Sequence, residues 1–92
     1  MKYRIFYSDE AQKELLVWKR SGQKIILDKI ARIIDELEEH PYTGIGHPEP
    51  LKGNMVGKWS RRIDKKNRIV YSVIETVLHV EVITVIGHYA AK

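Results

Sequence analysis

Lys58–Ile74, KWSRRIDKKNRIVYSVI, decides the fold. Two runs, Lys58–Ile63 and Arg68–Ile74, carry apolar or aromatic residues at alternate positions, the period of a strand with one buried face. Asp64-Lys65-Lys66-Asn67 between them is short and polar, so the runs are expected to pair as a hairpin. Alternation then sorts the side chains. In the first strand Trp59 and Ile63 share one face, while Lys58, Ser60 and Arg62 share the other. In the second, Ile69, Tyr71 and Val73 form the core face and Arg68 points the opposite way. Arg62 and Arg68 are thus expected to project together from an uncovered face. Arg61 falls on the Trp59 side and is expected at the rim. Trp59 itself reads as a core residue rather than a base-stacking platform.

The chain before this hairpin is helical. Lys2–Tyr7 alternates and reads as a first strand, followed by Ser8 as a helix N-cap with Asp9 and Glu10 in the first turn. The first helix would bury Ala11, Leu15 and Trp18 and stop at Ser21-Gly22. A second, from about Gln23 to Glu39, carries Ile26, Ile30, Ile33 and Leu37 on one stripe, widened by Ile25 and Ile34. It ends at His40-Pro41. The acids Asp35, Glu36, Glu38 and Glu39 at its end read as a solvated outer face. From Pro41 to Gly57 there are three prolines and four glycines, and Pro41–Met55 is expected to be one long loop, of a kind that is usually functional. After the hairpin, Val77–Ile86 is a further strand. The order βααβββ gives an α+β fold. Two N-terminal helices pack on one face of a small, mainly antiparallel sheet of four to five strands, leaving the other face free.

The 92 residues make one domain with one modest core. A formal charge of +4 favours a polyanionic partner. Seven of the sixteen Lys and Arg residues lie between Lys52 and Arg68, which concentrates that charge around the hairpin. With no cysteine, thiolate chemistry and Cys-based zinc sites are excluded. No run resembles a signal peptide or approaches membrane-spanning length, so a cytoplasmic domain without membrane contact is the expectation.

Motifs for a phosphate-binding loop, a zinc protease helix or a nucleophile elbow are absent, and no His and acid cluster has metal-ligand spacing. What remains is a Glu, several Arg and Lys, and a His. That set suffices to cleave RNA without a metal or other cofactor. The ribose 2′-hydroxyl attacks the adjacent phosphate, a base takes its proton, an acid protonates the departing 5′-oxygen, and cations stabilise the phosphorane. Glu49 is the best base candidate, because prolines on both sides restrict its backbone.

The run GIGHPEPLKGNMVGKWSRRIDKKNRIVY, residues 44–71, together with the later His88-Tyr89, resembles the signature of the Txe/YoeB toxin family within the RelE/ParE superfamily. The resemblance covers essentially the whole chain, although the family commonly ends at His-Tyr and here Ala90-Ala91-Lys92 follows. It implies a RelE-like fold and the toxin of a type II toxin–antitoxin pair. Such a toxin cleaves mRNA in the ribosomal A site on the 30S subunit and is restrained by a YefM/Phd-type antitoxin. A homodimer is among the assemblies it implies. Carried over residue by residue, it makes Glu49 the general base and His88 the general acid. Arg62 and Arg68 would stabilise the phosphorane. Lys52 and Tyr89 would contact substrate, with Lys58 on the same sheet face grouped beside them. His47 stands where the family is often basic, either touching substrate or holding the loop. The competing expectation is a non-catalytic RNA binder or a ParE-like toxin that blocks its target on the same fold; it would have no use for Glu49, which repels phosphate.

Overall fold

A computed structural model describes residues 2–87 of the chain. Strand β1 (Arg4–Tyr7) leads through Ser8 into helix α1 (Asp9–Ser21). The Ser8 hydroxyl accepts the Ala11 N–H at 3.0 Å and donates to the Ile83 carbonyl at 2.6 Å, so one side chain both caps the helix and ties it to the sheet. Gly22, with φ 72°, closes the helix where Ser21-Gly22 was expected to stop it. Helix α2 spans Lys24–Leu37, ending two residues before the expected Glu39. The N–H groups of Glu39 and His40 instead fold back on the Glu36 carbonyl, a tightened final turn ahead of Pro41. On α2, Ile30, Ile33 and Leu37 are buried, with Ile26 and Ile34 packed beside them. Ile25 does not widen that stripe: it lies in the first turn, about 100° round from Ile26, and is 86% exposed.

Four more strands follow, β2 (Glu49–Pro50), β3 (Lys58–Arg62), β4 (Asn67–Ile74) and β5 (His79–Gly87). They form one five-stranded sheet in the order β1-β5-β4-β3-β2, with β1 parallel to β5 and every other pair antiparallel. The α+β layer read from periodicity is therefore the observed one, at five strands. Pro41–Met55, however, is not a single loop. Glu49 and Pro50 pair with Ser60 and Trp59, and the Leu51 N–H reaches the Lys58 carbonyl at 2.8 Å. A proline is tolerated there because β2 is an edge strand and its missing N–H costs no ladder bond.

The helices cover one sheet face. Ala11, Ile30, Ile33 and Leu37 pack against Ile69, Tyr71, Val80, Val82 and Val85 in one cluster, with Trp18 and Trp59 partly buried against it. Trp59 is thus a core-side residue, tilted against Tyr42 with ring centroids 5.0 Å apart. The β4–β5 register shifts between Val70 and Tyr71, so Ile83 is an extra residue in β5. β1 ends opposite Val82, and α1 takes over as neighbour beyond it. Glu14 accepts the Val85 N–H at 2.6 Å and the Thr84 hydroxyl at 2.7 Å, and the Trp18 ring N–H donates to the Val85 carbonyl at 2.7 Å. Polar side chains of α1 thereby satisfy a strand edge that no strand pairs.

Candidate functional site

The sheet face turned away from the helices is organised by register, and it is not free throughout as expected: Ser60, Val70 and Thr84 along its middle are buried. Residues directly opposed in antiparallel strands share a face, so Glu49, Ser60, Val70 and Thr84 form one row across β2–β5. The next row towards the hairpin turn is Arg62, Arg68 and Ile86; on the other side lie Lys58, Ser72 and Glu81. Glu49 and Arg62 stand on the diagonal of one strand pair, which places the two residues roughly 7–8 Å apart, their Cβ atoms somewhat closer. The sequence expectation that Arg62 and Arg68 share a face holds: they are directly paired. Like charges so placed destabilise a sheet unless an anion lies between them. Arg68 is steadied by a 3.4 Å hydrogen bond from its guanidinium to the Ser60 hydroxyl, a contact that sequence reasoning missed.

Glu49 is half-buried, its backbone held in β2 between Pro48 and Pro50. His47 precedes it in the left-handed region at φ 56°, next to Gly46 at φ 83°, and the two residues turn the chain back onto the sheet edge. The His47 Nε2 lies 3.9 Å from a Glu49 carboxylate oxygen, with both side chains substantially exposed. Lys52 is exposed, immediately before a single 3₁₀ turn at Gly53–Met55, and Lys58 is half-buried at the start of β3. β5 brings the chain to Gly87, opposite Asn67. His88 and Tyr89 lie outside the described residues. Among the described residues no group of three or more His, Asp or Glu side chains is arranged to hold a metal ion.

Two sequence expectations fail here together. Arg61 is not at the rim; it is fully buried. Its guanidinium donates to Glu36 Oε1 at 2.7 Å, so Glu36 does not belong to a merely solvated face either. The same guanidinium donates to the carbonyls of Thr43, at 2.8 Å, and of His40 and Ile45, and to the Tyr71 hydroxyl at 3.3 Å. Burial pushes the Glu36 carboxyl up, but the Ile45 N–H and the Arg61 guanidinium outweigh it and hold the group below its usual range. The sequence signalled the inward direction of Arg61 but not its partner. Adjacent arginines in a strand must face opposite ways, but the acid that the inward one requires, Glu36, stands on another element, following Ile33 at i+3 on α2.

A family model described as YoeB-like toxin of bacterial type II toxin–antitoxin system matches residues 7–89. A toxin YoeB of Escherichia coli O6:H1 is 39% identical over 75 residues, covering 82% of this chain and 88% of that protein. A YoeB/ParE toxin from Agrobacterium tumefaciens, 35% identical, superposes with a TM-score of 0.86 over 94% of this chain and 99% of its own. The YoeB of Staphylococcus aureus, solved as a dimer and in complex with YefM, is 29% identical, with TM-scores of 0.82 and 0.81 over 97% of this chain and all of its own. On sequence and fold together, this chain belongs to the family of YoeB-like toxins of bacterial type II toxin–antitoxin systems.

Proposed function

We propose that this toxin is an mRNA endoribonuclease that acts in the A site of the 30S subunit by metal-independent acid–base chemistry. The observation that carries the reading is the placement of Glu49: a carboxylate fixed in an edge strand, one diagonal from an exposed Arg62 that is itself directly paired with Arg68. Glu49 takes the proton of a ribose 2′-hydroxyl as that oxygen attacks the adjacent phosphorus. Arg62 and Arg68 bind the phosphate oxygens in forked geometry and offset the charge gained in the phosphorane. The bond to the 5′-oxygen then breaks, and His88 delivers the proton the leaving group requires. Lys52, Lys58, His47 and Tyr89 contact the flanking mRNA. A YefM/Phd-type antitoxin restrains the toxin in the cytoplasm, and a homodimer is a further assembly of the free chain.

Inducing the chain alone, with mapping of cut sites in ribosome-engaged mRNA, tests the reading. Growth arrest with cuts is expected from the parent, and loss of about 10²–10⁴-fold in cutting from Glu49→Ala and from His88→Ala. Cutting by both variants at the parent rate would remove the acid–base assignment. Arrest by the parent with intact mRNA would favour a toxin that blocks its target without cutting.

A further inference from the structure

The segment that carries Glu49 to the sheet is cast around three side chains from elsewhere in the fold. Arg61 reaches the carbonyls of His40, Thr43 and Ile45, the Tyr71 hydroxyl donates to the Pro41 carbonyl at 2.6 Å, and Glu36 Oε1 accepts the Ile45 N–H at 2.9 Å. Among the described residues no buried side-chain polar atom lacks a partner, so every buried donor and acceptor of this cluster is paired. Space is equally determined. A Cβ on Gly44 would lie 1.9 Å from Glu36 Oε1, and one on Gly46 would lie 2.8 Å from the Arg62 carbonyl oxygen. The Arg62 N–H closes the segment by donating to the Gly46 carbonyl at 2.6 Å. Only His47 and Pro48 separate that anchor from Glu49, and proline leaves little freedom in which an error could be absorbed.

From this we infer that Glu36 and Arg61 are positioning residues for Glu49, setting the carboxylate's place relative to the Arg62–Arg68 pair through the segment from His40 to Gly46. The inference rests on Glu49 being the base. Neither residue touches the reacting phosphate. Arg61 lies on the helix-side face of β3 and Glu36 on α2, while Arg62 presents the opposite face. A buried guanidinium with all its donors engaged resists rearrangement, and holding a reacting group to a fraction of an ångström is what such rigidity supplies.

The test is a double-mutant cycle on single-turnover cleavage of ribosome-engaged mRNA, followed for hours so that slow variants are read. Glu36→Ala is expected to lower the cleavage rate about ten- to hundredfold while the half-saturating toxin concentration stays within about twofold. In a Glu49→Gln background the same Glu36→Ala change is expected to cost less than about twofold, since its effect passes through a carboxylate no longer present. An equal loss in both backgrounds, or a folded Glu36→Ala protein cutting at the parent rate, would overturn the inference. Should Glu36→Ala fail to fold, Tyr71→Phe decides on the same criterion: it keeps the ring and removes only the hydroxyl that joins Arg61 to Pro41. Glu49→Gln cutting at the parent rate would instead overturn the base assignment, and the positioning role with it.

Discussion

Arg61 and Arg62 are neighbours in one strand, yet they occupy opposite environments. Arg61 is sealed among Glu36, Tyr71 and three loop carbonyls, with nothing exposed. Arg62 stands in the open, with another cation, Arg68, directly opposite it in the next strand. A buried guanidinium survives by having its donors and charge satisfied internally. Two directly opposed guanidiniums, one exposed and one half-buried, instead repel each other, and a phosphate between them would offset that repulsion. The same residue type therefore builds the scaffold on one face of β3 and a proposed substrate surface on the other, and the two-residue period of the strand keeps those roles apart.

Substitutions should separate them. Arg61→Met is expected to have the largest effect, costing about 3–5 kcal/mol of stability, read as a lowered denaturation midpoint, because Glu36 and the carbonyls lose their common partner. Arg62→Ala should leave stability within about 0.5 kcal/mol and lower cleavage by about 10²–10³-fold, or about 2.7–4 kcal/mol of transition-state stabilisation. If instead Arg62→Ala unfolds the protein, the division of labour between the two arginines is wrong. Gly44→Ala, which forces a methyl onto the Glu36 carboxylate at φ 131°, should cost about 1–3 kcal/mol in a thermal or chemical melt.

The smallest effect is expected from acid. Because the folded-state pKa of Glu36 is depressed, the folded protein holds that proton less tightly than the unfolded chain. The resulting stability is complete above the ordinary value of 4.5 and is lost as pH falls through the lower folded value. Melting curves of the parent should therefore decline below about pH 4.5, and Glu36→Gln should remove part of that decline. A parallel decline in both proteins would show that other carboxylates carry the acid sensitivity.

Strand alternation made the hairpin, the core face and the Arg62–Arg68 pairing legible, since every one of those is set by a period of two. The helices were legible from caps and stripes, with Ser8 and Gly22 where the chain turns. Two things escaped. Glu49–Pro50 is too short and too proline-rich to show a strand period, and it becomes a strand only because Ser60 and Trp59 offer it an edge. Arg61 was placed at the rim because an isolated charge on a core face is costly. The partner that removes the cost lies twenty-five residues away on α2, a long-range contact that no local pattern reports. The inward face of β3 was thus predicted correctly in direction and misjudged in chemistry.

In the proposed reaction an RNA 2′-hydroxyl, activated by Glu49 beside Arg62 and Arg68, is the nucleophile. The most direct measurement is cleavage of ribosome-engaged mRNA carrying a single 2′-deoxy nucleotide immediately 5′ of the scissile phosphate. Cutting at that bond should vanish, while the all-ribose message is cut to leave a 2′,3′-cyclic phosphate on one fragment and a 5′-hydroxyl on the other. Undiminished cutting of the deoxy-substituted message, or a 5′-phosphate on the downstream fragment, would mean that water, not the 2′-hydroxyl, is the nucleophile and that Glu49 does not act as proposed.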